Sequence, residues 1–457
     1  MTLHWPSPED LNLRDDQFSL SGHQMQQINL AFQSRLGILL GRPGTGKTTL
    51  IVRVIRHLLA KHGEGSVGVV APTGKAAARL SQALHDCGAI PVKATTIHSF
   101  LRATPSASGW DFYFSRNNKA WHRFIICDEI SMAGTGLSAS LLDAMNPFAH
   151  LLLSGDAGQL PPVDHGSFLR DLSKLAKLPR EKTDLIIGRG ELTEIQRNSG
   201  DIVTACSDIL DRGTFSTSDV VDIPAGKNLW LSQASNSGEA AVKLDKVLEA
   251  IGSGGSTQVI TAKNDNSPLS RMTLNLRLQE SLNPDGEKTE LNPFRKGDKV
   301  ICSRNSWLSY EFADSGSITA IRKKAKKVYV ANGEQGIVRS IEPFRTVVCL
   351  SDPQRVVIVP RGDSESSACW TGCDFDLGYV ISVHKSQGSE FKNVIVMLDE
   401  TFGAKMVCSR EWLYTAISRA KEFCVLIGKK SVADEFIART KLDARKTFLV
   451  EKVCNHG

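Results

Sequence analysis

GRPGTGKTTL, residues Gly41 to Leu50, follows the apolar run Leu36 to Leu40 and leads into an amphipathic stretch, Ile51 to Leu59. Gly41 to Thr48 match G-x-x-x-x-G-K-[ST] without a departure, where a strand would turn into a helix. Backbone N–H groups of such a loop converge on phosphates, helped by the N-terminus of the helix that follows. Lys47 adds a point charge for the β and γ phosphates, and the Thr48 hydroxyl is a ligand for Mg²⁺. The stretch predicts a site for ATP and Mg²⁺ built from Gly41, Pro43, Gly44, Thr45, Gly46, Lys47, Thr48 and Thr49.

Outward from this loop, LGILLG, VGVVAPTG, FIICDEIS and HLLLSGD are short apolar runs that end in Gly, Asp or Pro signals, with helical patterns between them. Such runs predict buried parallel strands of an α/β sheet from about residue 20 to 196. FIICDEIS places Asp128 and Glu129 just past a strand. Adjacent carboxylates on a loop are commonly only solvated. Downstream of a phosphate loop they predict catalysis, with Asp128 holding Mg²⁺ through water and Glu129 polarising the attacking water. Gln159 in SGDAGQLPPV is a neutral donor suited to sensing the γ-phosphate.

The 457 residues suggest about three domains at roughly 150 residues each. Apolar content of 41% and charged content of 23% are those of a soluble globular protein. The net charge of +6 permits nucleic-acid binding without arguing for it. Ten scattered cysteines, none in C-x-x-C spacing, predict free thiols rather than a zinc site. Cys369 and Cys373 are four apart and have no second pair. The opening MTLHWPSPEDLNLRDD is polar and acidic, unlike a signal peptide, and residues 1 to 17 read as a loosely ordered arm. No apolar run approaches the roughly 18 residues that span a bilayer, so a cytoplasmic location without membrane contact is expected.

Past Arg197, NSGDIVTACSDILDRG predicts a helix capped at Asn198 or Ser199 and stopped by Gly213. TQVITA is a strand, and LSRMTLNLRLQESLNP a helix closed by Asn283 and Pro284. From about 308 to 375 helical periodicity gives way to short β-branched runs, with a hairpin expected at Asn332-Gly333. LGYVISVHKSQGSEF, NVIVMLD and VLIGKK then return to the α/β pattern.

Further motifs narrow the type of nucleotide enzyme. APTGKAAARL puts Thr73 and Lys75 at a strand's C-terminal end, where ligands collect in open α/β sheets. TTIHSFL adds Thr96 and His98, SVHKSQGSEF adds His384, Lys385, Ser386, Gln387, Gly388 and Glu390, and LYTAISRAKE adds Arg419. In order and wording, from about residue 20 to 428, these segments resemble the RecD-like branch of the superfamily 1 helicases (superfamily 1B). GDAGQLPPV and VHKSQGSEF carry most of the specificity. LSGHQ resembles the family's adenine-reading motif, which implies that Gln24 meets the base. LTEIQRNSG makes Arg197 an arginine finger by the same resemblance, and Arg419 in TAISRA the second. Two guanidinium groups of this kind could neutralise charge on a transferring γ-phosphoryl group.

The resemblance implies two RecA-like parallel-sheet domains. The first, 1–196, carries a small β-hairpin insert at about 102–122. The second comprises 197–307 and 376–457 and is interrupted by an SH3-like β-barrel insert at 308–375. FRKGDKVICSRN and NGEQGIV resemble segments bordering and within that insert. The implied activity is an ATP-dependent DNA helicase that translocates 5′→3′ on single-stranded DNA and unwinds duplex. The alternative is a DNA-stimulated translocase that remodels protein–DNA complexes with little unwinding. An inactive ATPase serving as a binding module is disfavoured by the intact motifs. Single-stranded DNA and junctions with duplex are the expected partners, with replication, recombination or repair proteins beside them, and a monomer is expected. The length leaves no room for a nuclease or a long accessory domain.

Short hydroxyl and imidazole donors suit phosphate oxygens and fix position without reading sequence. Thr73, Thr96, His98, His384 and Ser386 are therefore expected DNA contacts, together with the Lys75 ammonium and the neighbouring Pro72. RATPSASGWDFYFSRNNKAWH is dense in aromatics. Exposed rings there could stack on the last base pair, with Phe112 and Phe114 expected on one face of a strand. The basic run IRKKAKKVYV, Arg322 to Lys327, is either a solvated face or a second DNA contact.

Overall fold

A computed structural model describes residues 20–88, 90–106, 109–179, 182–195, 200–219, 227–252, 256–290, 292–311, 327–343, 345–351, 354–360, 374–442, 445 and 447–455. Several expectations fall outside these residues: the N-terminal arm, Arg197, Cys369, Cys373 and most of the basic run. The chain divides into two units, residues 1–199 with 440–457, and residues 200–439.

The first unit is built on six strands in the order Thr95–Thr96, Val67–Ala71, Phe124–Cys127, His150–Gly155, Leu36–Gly41, Ile187–Leu192. Every pair is parallel. Val67–Ala71, Phe124–Cys127 and His150–Gly155 are buried at every position, because helices cover both faces and leave no polar side to alternate with. Helix Lys47–His62 buries Leu50, Ile51, Val54, Ile55 and Leu58 in one core, each worth about 1.5–3 kcal/mol. Helix Gly22–Ala31 lies so close to the sheet edge that a Cβ at Gly188 would sit 2.2 Å from the Ala31 carbonyl, which is why no side chain is present there. Ala103–Ser106 and Gly109–Phe112 form a separate antiparallel pair in the register Ala103↔Phe112 to Ser106↔Gly109.

The second unit holds another all-parallel sheet, ordered Val380–Ser382, Thr257–Thr261, Phe391–Met397, Ala420–Gly428, Leu229–Gln233, Ser218–Asp219. Beside it stands a seven-stranded antiparallel sheet, ordered Lys327–Val330, Ser306–Glu311, Gln354–Pro360, Arg345–Ser351, Gln335–Glu342, Lys299–Cys302, Phe375–Leu377. Val300, Val338, Val348, Leu350, Val357 and Phe375 form its core.

Four local expectations are corrected. The antiparallel region begins at Lys299, ahead of residue 308, because KVIC is buried at every position and reads like an α/β strand. The turn at Asn332-Gly333 exists, with Gly333 at φ +92°, but joins strands that do not pair with each other. The tight returns are instead Glu342↔Arg345 and Ser351↔Gln354. The helix after residue 197 is Asp201–Asp211, with Gly200 rather than Asn198 or Ser199 at its cap. Its orphan N–H at Ile202 is met from a distance by Asn228 Oδ1, at 3.2 Å. Finally, 376–457 is not one piece. From Thr440 the chain belongs to the first unit, where Leu449, Val450 and Val453 pack on its core and Arg445 bonds to carbonyls of Pro162, Asp164 and Gly166.

Candidate functional site

Parallel strands place their C-terminal ends along one edge, so Gly41, Thr73, Asp128 and Asp156 all emerge together. The 41–48 loop turns at Gly44 and Gly46, with φ of +80° and +81°, a region in which any other residue would be strained. Thr45 is buried and its hydroxyl donates to the Arg42 carbonyl at 2.8 Å. The Lys47 ammonium lies inside the loop, donating to the carbonyls of Gly41 and Arg42. Thr49 is exposed on the helix, outside this arrangement.

Thr48 Oγ1 approaches Asp128 Oδ2 to 3.4 Å, although a strand separates their own strands in the sheet. The buried Asp128 carboxylate also accepts the Glu129 N–H at 3.0 Å. Glu129 adopts φ +56°, unusual for a residue with a side chain. Asp156 Oδ1 accepts from Gly158 N–H at 2.9 Å and Oδ2 from Gln159 Nε2 at 3.3 Å. Gln159 is buried and its Oε1 takes no hydrogen bond among the described residues. One of its amide hydrogens is thus engaged by Asp156, and the side chain presents an acceptor as well as the expected donor.

These groups fit a magnesium nucleotide: an aligned hydroxyl and carboxylate, a lysine inside a glycine-turned loop, and a buried acceptor nearby. Gln24 is buried in the first turn of helix Gly22–Ala31 and closes its capping box: its Oε1 accepts the Ser21 N–H at 3.1 Å while Ser21 Oγ accepts the Gln24 N–H at 3.2 Å. Its side-chain NH₂ remains the group suited to a base.

In the second unit, the Arg419 guanidinium is buried at the end of helix Arg410–Ile417. It donates to the carbonyls of Thr415 (3.1 Å) and Ser389 (3.3 Å) and to Ser418 Oγ (3.3 Å), which ties the TAISRA motif to SVHKSQGSEF. Gly388 has φ +72°, and Glu390 pairs with Lys421 at 3.5 Å. His384 is exposed, whereas Ser386 is fully buried and donates to the Val383 carbonyl at 2.7 Å. Ser386 is therefore corrected from a DNA contact to an internal helix bond. Lys385 lies 3.5 Å from Asp376, with burial drawing its pKa down.

Thr73 and Thr96 are helix N-caps, accepting from Ala76 N–H (3.3 Å) and Ser99 N–H (3.0 Å). Pro72 and Lys75 are half-buried alongside Thr73. His98 is half-buried with a lowered pKa, set first by burial and opposed by the Asp164 carboxylate.

The expectation that Phe112 and Phe114 are exposed stacking rings is corrected for Phe114. Phe114 is 4% exposed and not free to stack, whereas Phe112 is only partly buried against the core. Trp110, on the same strand face as Phe112, is 53% exposed and lies edge-on to His98 at 5.4 Å. Arg102, at φ +52°, sets its guanidinium over Tyr113, Phe114 and Trp121 at 5.1, 5.1 and 5.8 Å. Aromatic density flagged this region. Only packing separates the buried rings from the exposed ones.

The parallel sheet, glycine-turned loop and paired Thr48 and Asp128 define a P-loop nucleotide-binding protein. The family description "AAA domain" matches residues 24–165, and "UvrD-like helicase C-terminal domain" matches 377–427. An ATP-dependent RecD2 DNA helicase of Deinococcus radiodurans is 30% identical over 441 residues, covering 96% of this chain and 53% of that protein. The RecBCD enzyme subunit RecD of Mycobacterium tuberculosis is 28% identical over 447 residues, covering 92% and 71%. The chain thus spans about half the length of its RecD2 relative. A solved Pif1 helicase from a study of forked duplex unwinding shares the fold, with a TM-score of 0.50 at 17% identity over 96% of this chain and 97% of that one. The chain is thus similar to helicases of the RecD kind along nearly its whole length.

Among the described residues no helix is long and apolar enough to cross a membrane.

Proposed function

We propose that this protein is an ATP-dependent DNA helicase that moves 5′→3′ on single-stranded DNA and separates duplex ahead of it. The observation that carries the reading is the approach of Thr48 Oγ1 to Asp128 Oδ2 at 3.4 Å, beside Lys47 inside its loop. Named helicases among the relatives support it. Lys47 binds the β and γ phosphates, Glu129 takes the proton of the attacking water, and Gln159 orients that water through its free Oε1. Thr48 and Asp128 would hold Mg²⁺, which supplies charge neutralisation on the phosphates. Arg197 and Arg419 are assigned to the transferring phosphoryl group by resemblance, and Gln24, Gly388 and Glu390 to nucleotide binding.

The DNA contacts proposed are Pro72, Thr73, Lys75, Thr96, His98 and His384, with Trp110 in place of Phe112 and Phe114 as the stacking ring. The antiparallel region of the second unit corresponds in this reading to the SH3-like insert of the family. Duplexes with a 5′ or a 3′ single-stranded tail, incubated with ATP and Mg²⁺, test the proposal. Separation of the 5′-tailed duplex alone is expected. Separation of the 3′-tailed duplex alone would reverse the polarity. ATP-driven release of a bound protein without strand separation would make the chain a remodelling translocase.

A further inference from the structure

The loop from Pro161 to Gly166 follows Gln159 and is gripped from two sides within the first unit. Arg445 Nη1 donates to the carbonyls of Asp164 (2.6 Å) and Gly166 (2.9 Å), and Nη2 to that of Pro162 (2.6 Å). A planar guanidinium can meet three converging carbonyls, whereas an ammonium is a point charge without that fixed fork. Against the opposite side of the loop, Thr135 N–H donates to the His165 carbonyl at 2.9 Å. The fit there is tight: a Cβ at Gly166 would lie 1.8 Å from Thr135 Oγ1, and one at Gly134 would lie 2.5 Å from Asp164 Cβ.

The loop has candidate functional neighbours. Thr135 opens the helix that follows the Asp128–Glu129 segment. A cavity beside the loop is lined by Ser131, Gln159, Ser167 and Leu442, and the buried Ser131 Oγ, Gln159 Oε1 and Ser167 Oγ take no hydrogen bond among the described residues. Within the loop, the Asp164 carboxylate also acts electrostatically on His98, which meets Trp110 edge-on. The segment carrying Arg445 arrives only after the chain has completed the second unit.

We propose that Arg445 is a positioning residue. Its three bonds clamp the Pro161–Gly166 loop, holding Gln159 against Asp156 and Asp164 where it acts on His98, so that nucleotide turnover responds to nucleic acid. The inference rests on the helicase reading above. The test measures ATP turnover by the full chain with and without a single-stranded DNA oligomer, together with KM for ATP and Tm.

Arg445→Ala is expected to lower the ratio of DNA-stimulated to DNA-free turnover by about fivefold, the size of a typical coupling loss, with KM for ATP little changed. Arg445→Lys recovers part of the ratio. Val453→Ala loosens the same returning segment without touching the loop, so it lowers Tm and leaves the ratio at the wild-type value. An unchanged ratio in Arg445→Ala overturns the clamp, as does an equal loss in Val453→Ala. Wild-type chain that DNA fails to stimulate would instead overturn the helicase reading, and this inference with it.

Discussion

Single side chains carry the chemistry, and their surroundings separate the roles. Lys47 lies inside the phosphate loop, so Lys47→Ala should lose at least about 100-fold in ATP turnover while single-stranded DNA still binds. Turnover assays and a fluorescence-anisotropy titration check both halves. Glu129→Gln keeps the shape but removes the carboxylate proposed as the base. It should retain ATP binding and lose turnover by about 10²- to 10⁴-fold, visible as bound nucleotide that persists through filtration. His384 and Ser386 sit two residues apart in one motif, yet one is exposed and the other is fully buried with its hydroxyl on the Val383 carbonyl. Ser386→Ala should therefore cost about 1 kcal/mol of stability without a direct loss of DNA contact, whereas His384→Ala should weaken DNA binding and leave Tm unchanged. Equal effects on DNA affinity would restore Ser386 to the interface.

Helices and the hairpin show how local rules serve two ends. Thr73 and Thr96 cap short-range N–H groups, and both stand at strand ends where a phosphate could be met. A cap uses the hydroxyl as acceptor and leaves its hydrogen for a second partner. Thr96 gives its own to Ser99 Oγ at 2.8 Å. Thr73→Ala should cost about 1 kcal/mol in thermal or denaturant unfolding whatever its part in DNA binding. In the hairpin, alternation along the strand was legible, but which side faces solvent was not. Residues 110 and 112 share a face, and burial increases from Trp110 through Phe112 towards Phe114. Trp110→Ala should remove a stack worth about 1–3 kcal/mol per base, reducing strand separation more than DNA-stimulated ATP turnover. Parallel loss of both would make Trp110 a general DNA grip rather than a separating element.

Across the chain as a division into two units, stability should depend on pH through partly buried imidazoles of the first. His62, His98 and His122 all titrate below their ordinary 6.5, chiefly through burial, with Arg123 and Lys61 adding repulsion at His62. A depressed histidine pKa means that the unfolded chain binds protons which the folded chain refuses. The stability is therefore complete above about pH 6.5 and is lost as pH falls through the lowered values. Tm should drop between about pH 7 and pH 5, and His62→Asn should shrink that drop. A flat Tm over this range would exclude the linkage. The path of the chain is the feature least visible in advance. The α/β pattern of the last residues suggested continuity with the second unit, but Leu449, Val450 and Val453 complete the core of the first. An amphipathic helix records that it has an apolar face, not which core receives it.

The phosphate loop, the acidic pair, the alternation of buried strands with helices and the likeness to helicases could be read from residue order. Each depends on contiguous spacing: a glycine-turned loop after a strand, and carboxylates at the end of another. Packing settled which aromatics reach solvent, that Ser386 is internal, where the antiparallel sheet begins, and that Arg445 returns to the Pro161–Gly166 loop. Burial and long-range hydrogen bonds join residues hundreds of positions apart, and no local pattern of polarity specifies such a partner.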